Sequence, residues 1–413
     1  MYSLIIYILM LGANIASLFN RKARLLMSGH RNTWRILRSQ RKEDKEYIWF
    51  HAASLGEFEQ GRMLIERVRA KYPDRGILLT FFSPSGYEVR KDYKGADIVC
   101  YLPFDTLRNA RKFMRLARPC MAFFIKYEFW QNYLTQLHLQ GVPTYSVASI
   151  FRPGQIFFRW YGKHYARVLD CFTHFFVQNV RSKDLLEAGG WHQVSVVGDT
   201  RFDRVLEIRH QAKDVPVAEA FASAQTNEGH VLVAGSTWSP DEDILISYFN
   251  AHPEERLILA PHVVSEAHLA EIEHKLQRPS LRFTQATAEK AKEADCLIID
   301  CYGLLSSIYR YGQIAYVGGG FGVGIHNVPE AAVYGIPVII GPNNKNFREV
   351  QDLIAEGGTF EIKSADEYAT LMKRLADDPQ LLCEAGAAAQ AYIQKGAGAV
   401  DKIFDAVFGS HDQ

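Results

Sequence analysis

Residues 318–330, Gly-Gly-Gly-Phe-Gly-Val-Gly-Ile-His-Asn-Val-Pro-Glu, constrain the fold more than any other stretch of the chain. Ile314 to Val317 reads as a short apolar strand, the glycines let the backbone approach a ligand closely, and Pro329 suits a first helical turn. A strand, a phosphate loop and a helix start, in that order, point to an open α/β sheet, and a sugar nucleotide fits the loop. The next apolar run, Gly335 to Pro342, returns after only a short helix that carries Glu330. That carboxylate can reach ribose hydroxyls while loop amides and His326 face the phosphate. A tight βα turn without a ligand is the competing interpretation.

Elsewhere short apolar runs alternate with helical patterns. Tyr47 to Phe50, Gly76 to Thr80, Met121 to Ile125, Thr144 to Ala148 and Phe172 to Val177 read as strands, with helices over Glu59 to Lys71 and Asn109 to Leu116. After Val196 to Asp203 comes a polar stretch, Arg204 to Asn227, poor in strand signals, where a domain boundary belongs. The alternation restarts at Val231 to Gly235 and runs through Leu257 to Ala260, Cys296 to Ile299 and Ile314 to Val317 before closing in helices from Asp366 to Phe408. The expected fold is α/β with GT-B architecture: two Rossmann-like parallel-sheet domains facing a cleft. Residues 1–20 form a membrane anchor, 21–205 the first domain and 206–413 the second.

The anchor is read from residues 1–20, which carry no charge and approach the ~20 residues that a helix needs to cross a bilayer. Arg21, Lys22, Arg24, Arg31, Arg35, Arg38, Arg41, Lys42 and Lys45 follow, opposed locally by Glu43 and Asp44. Positive charge after the apolar run leaves the remaining chain in the cytoplasm, whether the run spans the bilayer or lies on it. A cleaved signal peptide would have basic residues first and a small-x-small site after the run, and neither is present. A net charge of +1 argues against nucleic acid as the main partner. The six cysteines form no CxxC pair, so they are expected to be reduced thiols and not a zinc site.

The candidate chemistry of the first domain lies in His51-Ala52-Ala53-Ser54-Leu55-Gly56-Glu57. A carboxylate on the first turn of a helix, after a strand end and a glycine, can take a proton from a substrate hydroxyl, which makes Glu57 a candidate base. The same Ser54-x-x-Glu57 spacing is a capping box, in which Glu57 only bonds the Ser54 amide. Glu128 follows another strand end and can lie near Glu57.

The ordered motifs His51 to Glu57, Thr80 to Gly86, Tyr101 to Asp105, Glu128-Phe129-Trp130, Gly198 to Asp203, Gly235 to Thr237, Ala260 to His262, His326-Asn327-x-x-Glu330 and Gly341-Pro342 with Asn346-Phe347 resemble those of the bacterial Kdo transferases. These enzymes move 3-deoxy-D-manno-octulosonic acid (Kdo) from CMP-Kdo to the lipid A precursor of lipopolysaccharide. The resemblance implies a metal-independent, inverting glycosyltransferase at the inner membrane of a Gram-negative envelope, with no cofactor and no obligatory protein partner. By motif position it makes Glu57 the general base and Glu128 a second essential glutamate. It assigns the donor to Ser236, Thr237, Pro261, His262, Gly319, Gly320, His326, Asn327, Glu330 and Asn346, and the acceptor to Ser54, Gly56, Ser83, Ser85 and Lys126. Lys126 stands where the family usually has an acid, and no Arg separates Pro261 from His262. The alternative is a GT-B sugar-nucleotide enzyme of another specificity, a UDP-sugar transferase or an epimerase.

Overall fold

A computed structural model describes residues 2–224 and 229–409; Met1 of the expected anchor, and 225–228 and 410–413 of the expected second domain, lie outside the described residues. Two apolar-to-basic helices come first, α1 (Tyr2–Phe19) and α2 (Arg21–Gln40). The first sheet is built from β1 (Tyr47–Ala52), β2 (Gly76–Phe81), β3 (Ile98–Tyr101), β4 (Pro119–Ile125), β5 (Thr144–Ser149), β6 (His174–Val177) and β7 (Val194–Val196), in the order β3-β2-β1-β4-β5-β6-β7. All pairings are parallel, with His51 of β1 opposite Thr80 of β2 and Phe124 of β4. Every β1 residue is buried, as a parallel strand covered on both faces requires. Alternation sends Tyr47 and Trp49 into one core and Ile48 and Phe50 into the other. Helix α3 (Leu55–Lys71) follows β1, and α4 (Pro84–Arg90) follows β2 with Ser83 as N-cap and Pro84 in its first turn.

The second sheet comprises β8 (Val231–Thr237), β9 (Arg256–Pro261), β10 (Ser280–Arg282), β11 (Cys296–Ile298), β12 (Ile314–Val317), β13 (Val338–Ile340) and β14 (Thr359–Glu361), ordered β10-β11-β9-β8-β12-β13-β14 and again wholly parallel. The expected α/β architecture of two Rossmann-like units is therefore present.

The domain limits differ from those expected. One compact unit is Met1–Arg204 with Ala397–Gln413, and the other is Val205–Gly396. The boundary falls inside the helix Thr200–His210, and the last helix, Ala399–Phe408, belongs to the first unit. Its Ala399, Val400, Ile403, Phe404, Val407 and Phe408 join the core formed by Ile48, Phe50, Phe58, Leu64, Ile65 and Val68. Asp203 receives the amides of Gly398 and Val400 at 2.6 and 3.1 Å, fixing the start of the returning helix. The motif Gly198 to Asp203 thus owes its terminal acid to a helix almost two hundred residues later, a contact that no local pattern displays.

Candidate active site at two sheet switch points

In a doubly wound sheet, ligands bind beyond the carboxyl ends of the strands where the order reverses. In the first unit that point lies between β1 and β4, the strands followed by Glu57 and Glu128. In the second it lies between β8 and β12, the strands followed by Trp238 and the glycine loop.

Glu57 and Ser54 form the expected capping box at the start of α3. The Ser54 amide donates to Glu57 Oε2 at 2.8 Å and the Ser54 hydroxyl to the same atom at 3.2 Å. Both bonds fall on one oxygen, so capping leaves Oε1 for a substrate proton. Burial raises the Glu57 pKa above its ordinary value, and the nearby Glu128 carboxylate raises it further; the bonds from Ser54 and the His51 ring oppose both. A helix start alone would lower it, so the surroundings tune this acid towards the range useful to a base.

Glu128, which follows β4, is buried, only 8% exposed. The fully buried His51 places Nε2 3.1 Å from Glu128 Oε2, and the Trp130 indole N–H donates to that oxygen at 2.5 Å. On the other side of the ring, His51 Nδ1 meets the Thr80 hydroxyl at 2.8 Å and its carbonyl at 3.1 Å, and Trp49 Nε1 donates to the Thr80 hydroxyl at 2.8 Å. Glu128 is thus held by two rings and one continuous chain of hydrogen bonds. Sequence reasoning placed His51 in a motif without a role; the β1–β4 register, invisible locally, gives it one.

The expected acceptor residues gather at the same end of the sheet. The amides of Phe82 and Ser83 donate to Ala53 O at 3.2 and 2.7 Å, which draws the β2–α4 turn against Ser54. Ser83 and Ser85 are joined by a 2.9 Å hydroxyl contact, and Ser83 caps α4 by accepting the Ser85 amide, so part of their hydrogen-bonding capacity is structural. The Ser54 hydroxyl is likewise committed to Glu57. Gly56 is exposed, has no left-handed backbone, and a Cβ there would meet nothing within 4 Å, so packing inside the unit does not require glycine. Lys126 takes φ 65°, a left-handed backbone disfavoured for a side-chain-bearing residue, locked by its amide bond to Val147 O and by Ser149 Oγ donating to its carbonyl.

In the second unit the glycine loop folds on itself. Gly322 and Gly324 amides donate to Gly319 O at 3.1 and 2.9 Å, and the His326 amide to Gly318 O at 3.2 Å. Gly319, at φ 92°, donates its amide to Asp241 Oδ2, so this expected phosphate donor is already occupied. Asp241, 1% exposed, also receives the Trp238 amide and the Tyr316 hydroxyl, at 2.9 and 2.7 Å. One buried carboxylate therefore ties the ends of β8 and β12 to the glycine loop. Gly318 admits no side chain, because a Cβ would come 2.4 Å from Ser236 O.

Among the expected donor residues, Thr237 has a structural use. Thr237 is fully buried and its hydroxyl donates to Glu242 Oε1 at 3.0 Å, which His268 Nε2 also approaches at 3.1 Å; Thr237 braces a buried acid and is not free for phosphate. The helix after β8 starts at Ser239 with Trp238 as cap, and Ser236 sits at φ 53° within the last residues of β8. The helix carrying Glu330 spans only Pro329–Ala332, too short for a strong dipole, so its amides add little to phosphate binding. Asn327 donates to Glu330 Oε1 at 2.7 Å, orienting that carboxylate. Trp238, His262 and His326 stack, with ring centroids 4.6 and 4.5 Å apart. Trp238 Nε1–H donates to His326 Nε2 at 3.1 Å, so the remaining ring proton belongs on Nδ1. Burial and the neighbouring His262 lower the His326 pKa and keep the ring neutral. Pro261 is buried below the exposed His262, and Asn346 is exposed in the loop where Asn344 is the buried member, bonded to Glu361 and Gln351 at 2.7 and 2.5 Å.

Residues 30–204, which contain the whole Glu57–Glu128 site, match the family described as 3-Deoxy-D-manno-octulosonic-acid transferase (kdotransferase). The first unit is thus similar in sequence to the Kdo transferases. Beyond this domain, the chain is 25% identical over 341 residues to the 3-deoxy-D-manno-octulosonic acid transferase of Aquifex aeolicus, covering 81% of this chain and 87% of the relative. It is 26% identical to that of Bordetella pertussis, over 87% and 86%. The fold is that of the UDP-GlcNAc 2-epimerase from Neisseria meningitidis bound to UDP-GlcNAc, with TM-score 0.59 and 12% identity over 88% of this chain and all of the other. At that identity the likeness concerns architecture alone. The Kdo-transferase relatives extend over both units, so the glycine-loop site lies within the similarity too.

Proposed function

We propose that the chain transfers Kdo from CMP-Kdo to a lipid A precursor, inverting the anomeric centre. The observation that carries this reading is the pair Glu57 and Glu128 at the β1–β4 switch point, inside the segment that matches the Kdo transferases. Glu57 Oε1 removes the proton from a primary hydroxyl of the acceptor sugar as that oxygen attacks the anomeric carbon opposite CMP. A C–O bond forms, the bond from that carbon to the CMP phosphate oxygen breaks, and the proton stays on Glu57. Glu128 sustains the raised Glu57 pKa through its charge. In the second unit, neutral His326 offers Nδ1–H to the departing phosphate and Glu330, oriented by Asn327, takes the ribose. Ser54, Gly56, Ser83, Ser85 and Lys126 line the acceptor side. No metal step is included, because CMP leaves as a monophosphate.

The deciding experiment supplies the full chain with CMP-Kdo and a lipid A precursor and weighs the glycolipid. A mass gain of one or more Kdo units supports the reading. Transfer from UDP-sugars instead, or C2 epimerisation of UDP-GlcNAc, refutes it.

A further inference from the structure

Helix α1 is long and apolar enough to cross a membrane, at 18 residues and with only 6% of its apolar window buried. Its packing argues for a different placement. At its first turn the Tyr2 hydroxyl donates to Asp105 Oδ2 at 2.7 Å, and the Tyr2 ring stacks on Tyr165 with centroids 6.0 Å apart. Asp105 is itself fully buried and fixed by the amides of Asn132 and Tyr133 at 2.9 and 3.0 Å. Further along, Ile6 is buried with Met27 and Phe104, and Arg31 of α2 donates to Asn14 at 3.1 Å. Helix α1 is therefore tied to the rest of the first unit at Tyr2, Ile6 and Asn14. A spanning helix would carry Tyr2 about 27 Å from Phe19 to the far side of the bilayer, breaking the Asp105 bond, exposing Ile6, Met27 and Phe104, and drawing Arg31 towards the hydrocarbon.

The opposite face of α1 has no cover. Leu4, Ile8, Leu11, Ile15 and Leu18 recur at helical spacing as one stripe, each more than half exposed, and Phe19 continues it at 86%. Exposed Arg21, Lys22, Arg24, Arg31 and Arg35 lie on α2, the helix packed against α1. Beside the Tyr2 end, Tyr165 stacks on Phe157, and the short helical turns around it present Trp160 and Tyr161 at 83% and 63% exposure among exposed Arg159, Lys163 and Arg167. Aromatic tips with cationic neighbours suit the headgroup level of an anionic bilayer. The same segment follows the carboxyl end of β5, the end of the parallel sheet at which β1 and β4 lead to Glu57 and Glu128, and Ser149 there donates to the Lys126 carbonyl at 2.7 Å.

We infer that α1 lies in the plane of an anionic phospholipid surface with its amino end on the catalytic side, and that Trp160 and Tyr161 form a second insertion point, so that the membrane surface is brought beside Glu57. The inference adds to the lipid-acceptor reading without depending on the sugar transferred. Its test involves no transfer assay. The full chain, carrying a short protease-sensitive peptide ahead of Met1, is expressed in a bacterium. The peptide should be cut in inside-out membrane vesicles and survive protease outside intact spheroplasts; cleavage in spheroplasts would establish a spanning helix and overturn the inference. Purified full-length protein should bind vesicles of phosphatidylglycerol and phosphatidylethanolamine well above phosphatidylcholine. The Trp160→Ala/Tyr161→Ala variant should bind about tenfold more weakly, the loss expected for large side chains withdrawn from an apolar phase. Unchanged binding by that variant, or self-association through α1 without vesicle binding, overturns the second contact or the lipid occupant respectively.

Discussion

Glu57→Gln separates the two duties that the structure gives one side chain. The amide keeps an oxygen for the Ser54 N–H now 2.8 Å from Oε2, so the capping bond survives. Only the charge and the basicity are lost. Because burial and Glu128 raise the folded-state pKa of Glu57, the ionised form is penalised by folding. The sign follows: such an acid contributes stability below its unfolded pKa and loses it as pH rises through the folded value. The glutamine variant should therefore be as stable as, or slightly more stable than, the parent at pH 8, and the advantage should vanish on acidification below the ordinary carboxylate range. Glu57→Ala, which removes the acceptor altogether, should cost about 1 kcal/mol for the Ser54 bond. Turnover tells the opposite story. Loss of a general base costs roughly 10²–10⁴-fold, or about 2.7–5.4 kcal/mol in barrier. The parent's rate should rise with pH through the raised Glu57 pKa, and that acid limb should disappear in the variant. Stopped reactions with CMP-Kdo and lipid A precursor, analysed by mass spectrometry beside urea melts at several pH values, measure both. A Glu57→Gln enzyme with near-parental turnover would refute the base assignment and leave the residue a cap.

Four further outcomes are expected. Glu330→Ala should weaken CMP binding by about 1–3 kcal/mol by calorimetry, and CMP should protect the parent against heat better than UDP. Asp241→Ala, which strands the Gly319 amide, the Trp238 amide and the Tyr316 hydroxyl, should lower stability by about 3 kcal/mol or more in chemical denaturation and loosen amide-exchange protection around Gly319. His30, buried on α2 against the rings of Phe82, Tyr101 and Phe104, is depressed by burial to about 4, opposed by the Phe82 backbone. The stability it contributes is present above its ordinary pKa and is lost as pH falls from about 6.5 towards 4, so His30→Phe should flatten that part of the stability-pH curve. Chelation of divalent ions with EDTA should leave the transfer rate unchanged; a loss restored by one metal would refute the metal-free mechanism.

The central strands were legible because a strand buried on both faces is a continuous apolar run, as in Tyr47 to Phe50 or Ile314 to Val317. The strands without a clear signal, β3, β7, β10 and β14, are the four sheet edges, where three or four residues paired on one side suffice. Motif spacing placed Glu57, Glu128 and the glycine loop at strand ends, and both switch points hold them. What spacing could not reveal was mutual occupancy. Thr237 looks like a ligand until Glu242, five residues on and one helical turn up, takes its hydroxyl. Gly319 looks like a phosphate donor until Asp241 takes its amide. His51 and Asp203 act on partners 77 and 195 residues away, and such pairings exist only once the sheet order is known.

The return of Ala399–Phe408 to the first unit makes the second unit an insertion in the sequence of the first. During synthesis the ribosome therefore releases every residue of Val205–Gly396 before the final piece of the first core exists. Until then Ile65, Val68 and Tyr72 lack the phenylalanines at 404 and 408 that later cover them. The nascent chain should hold that apolar surface open for the time needed to translate the second unit, at the stage when α1 has long been free to reach a bilayer. Chaperone capture and early membrane contact then compete for the same half-finished domain, and a ribosome-stalling series placed before and after Ala399 would mark the moment at which the competition ends.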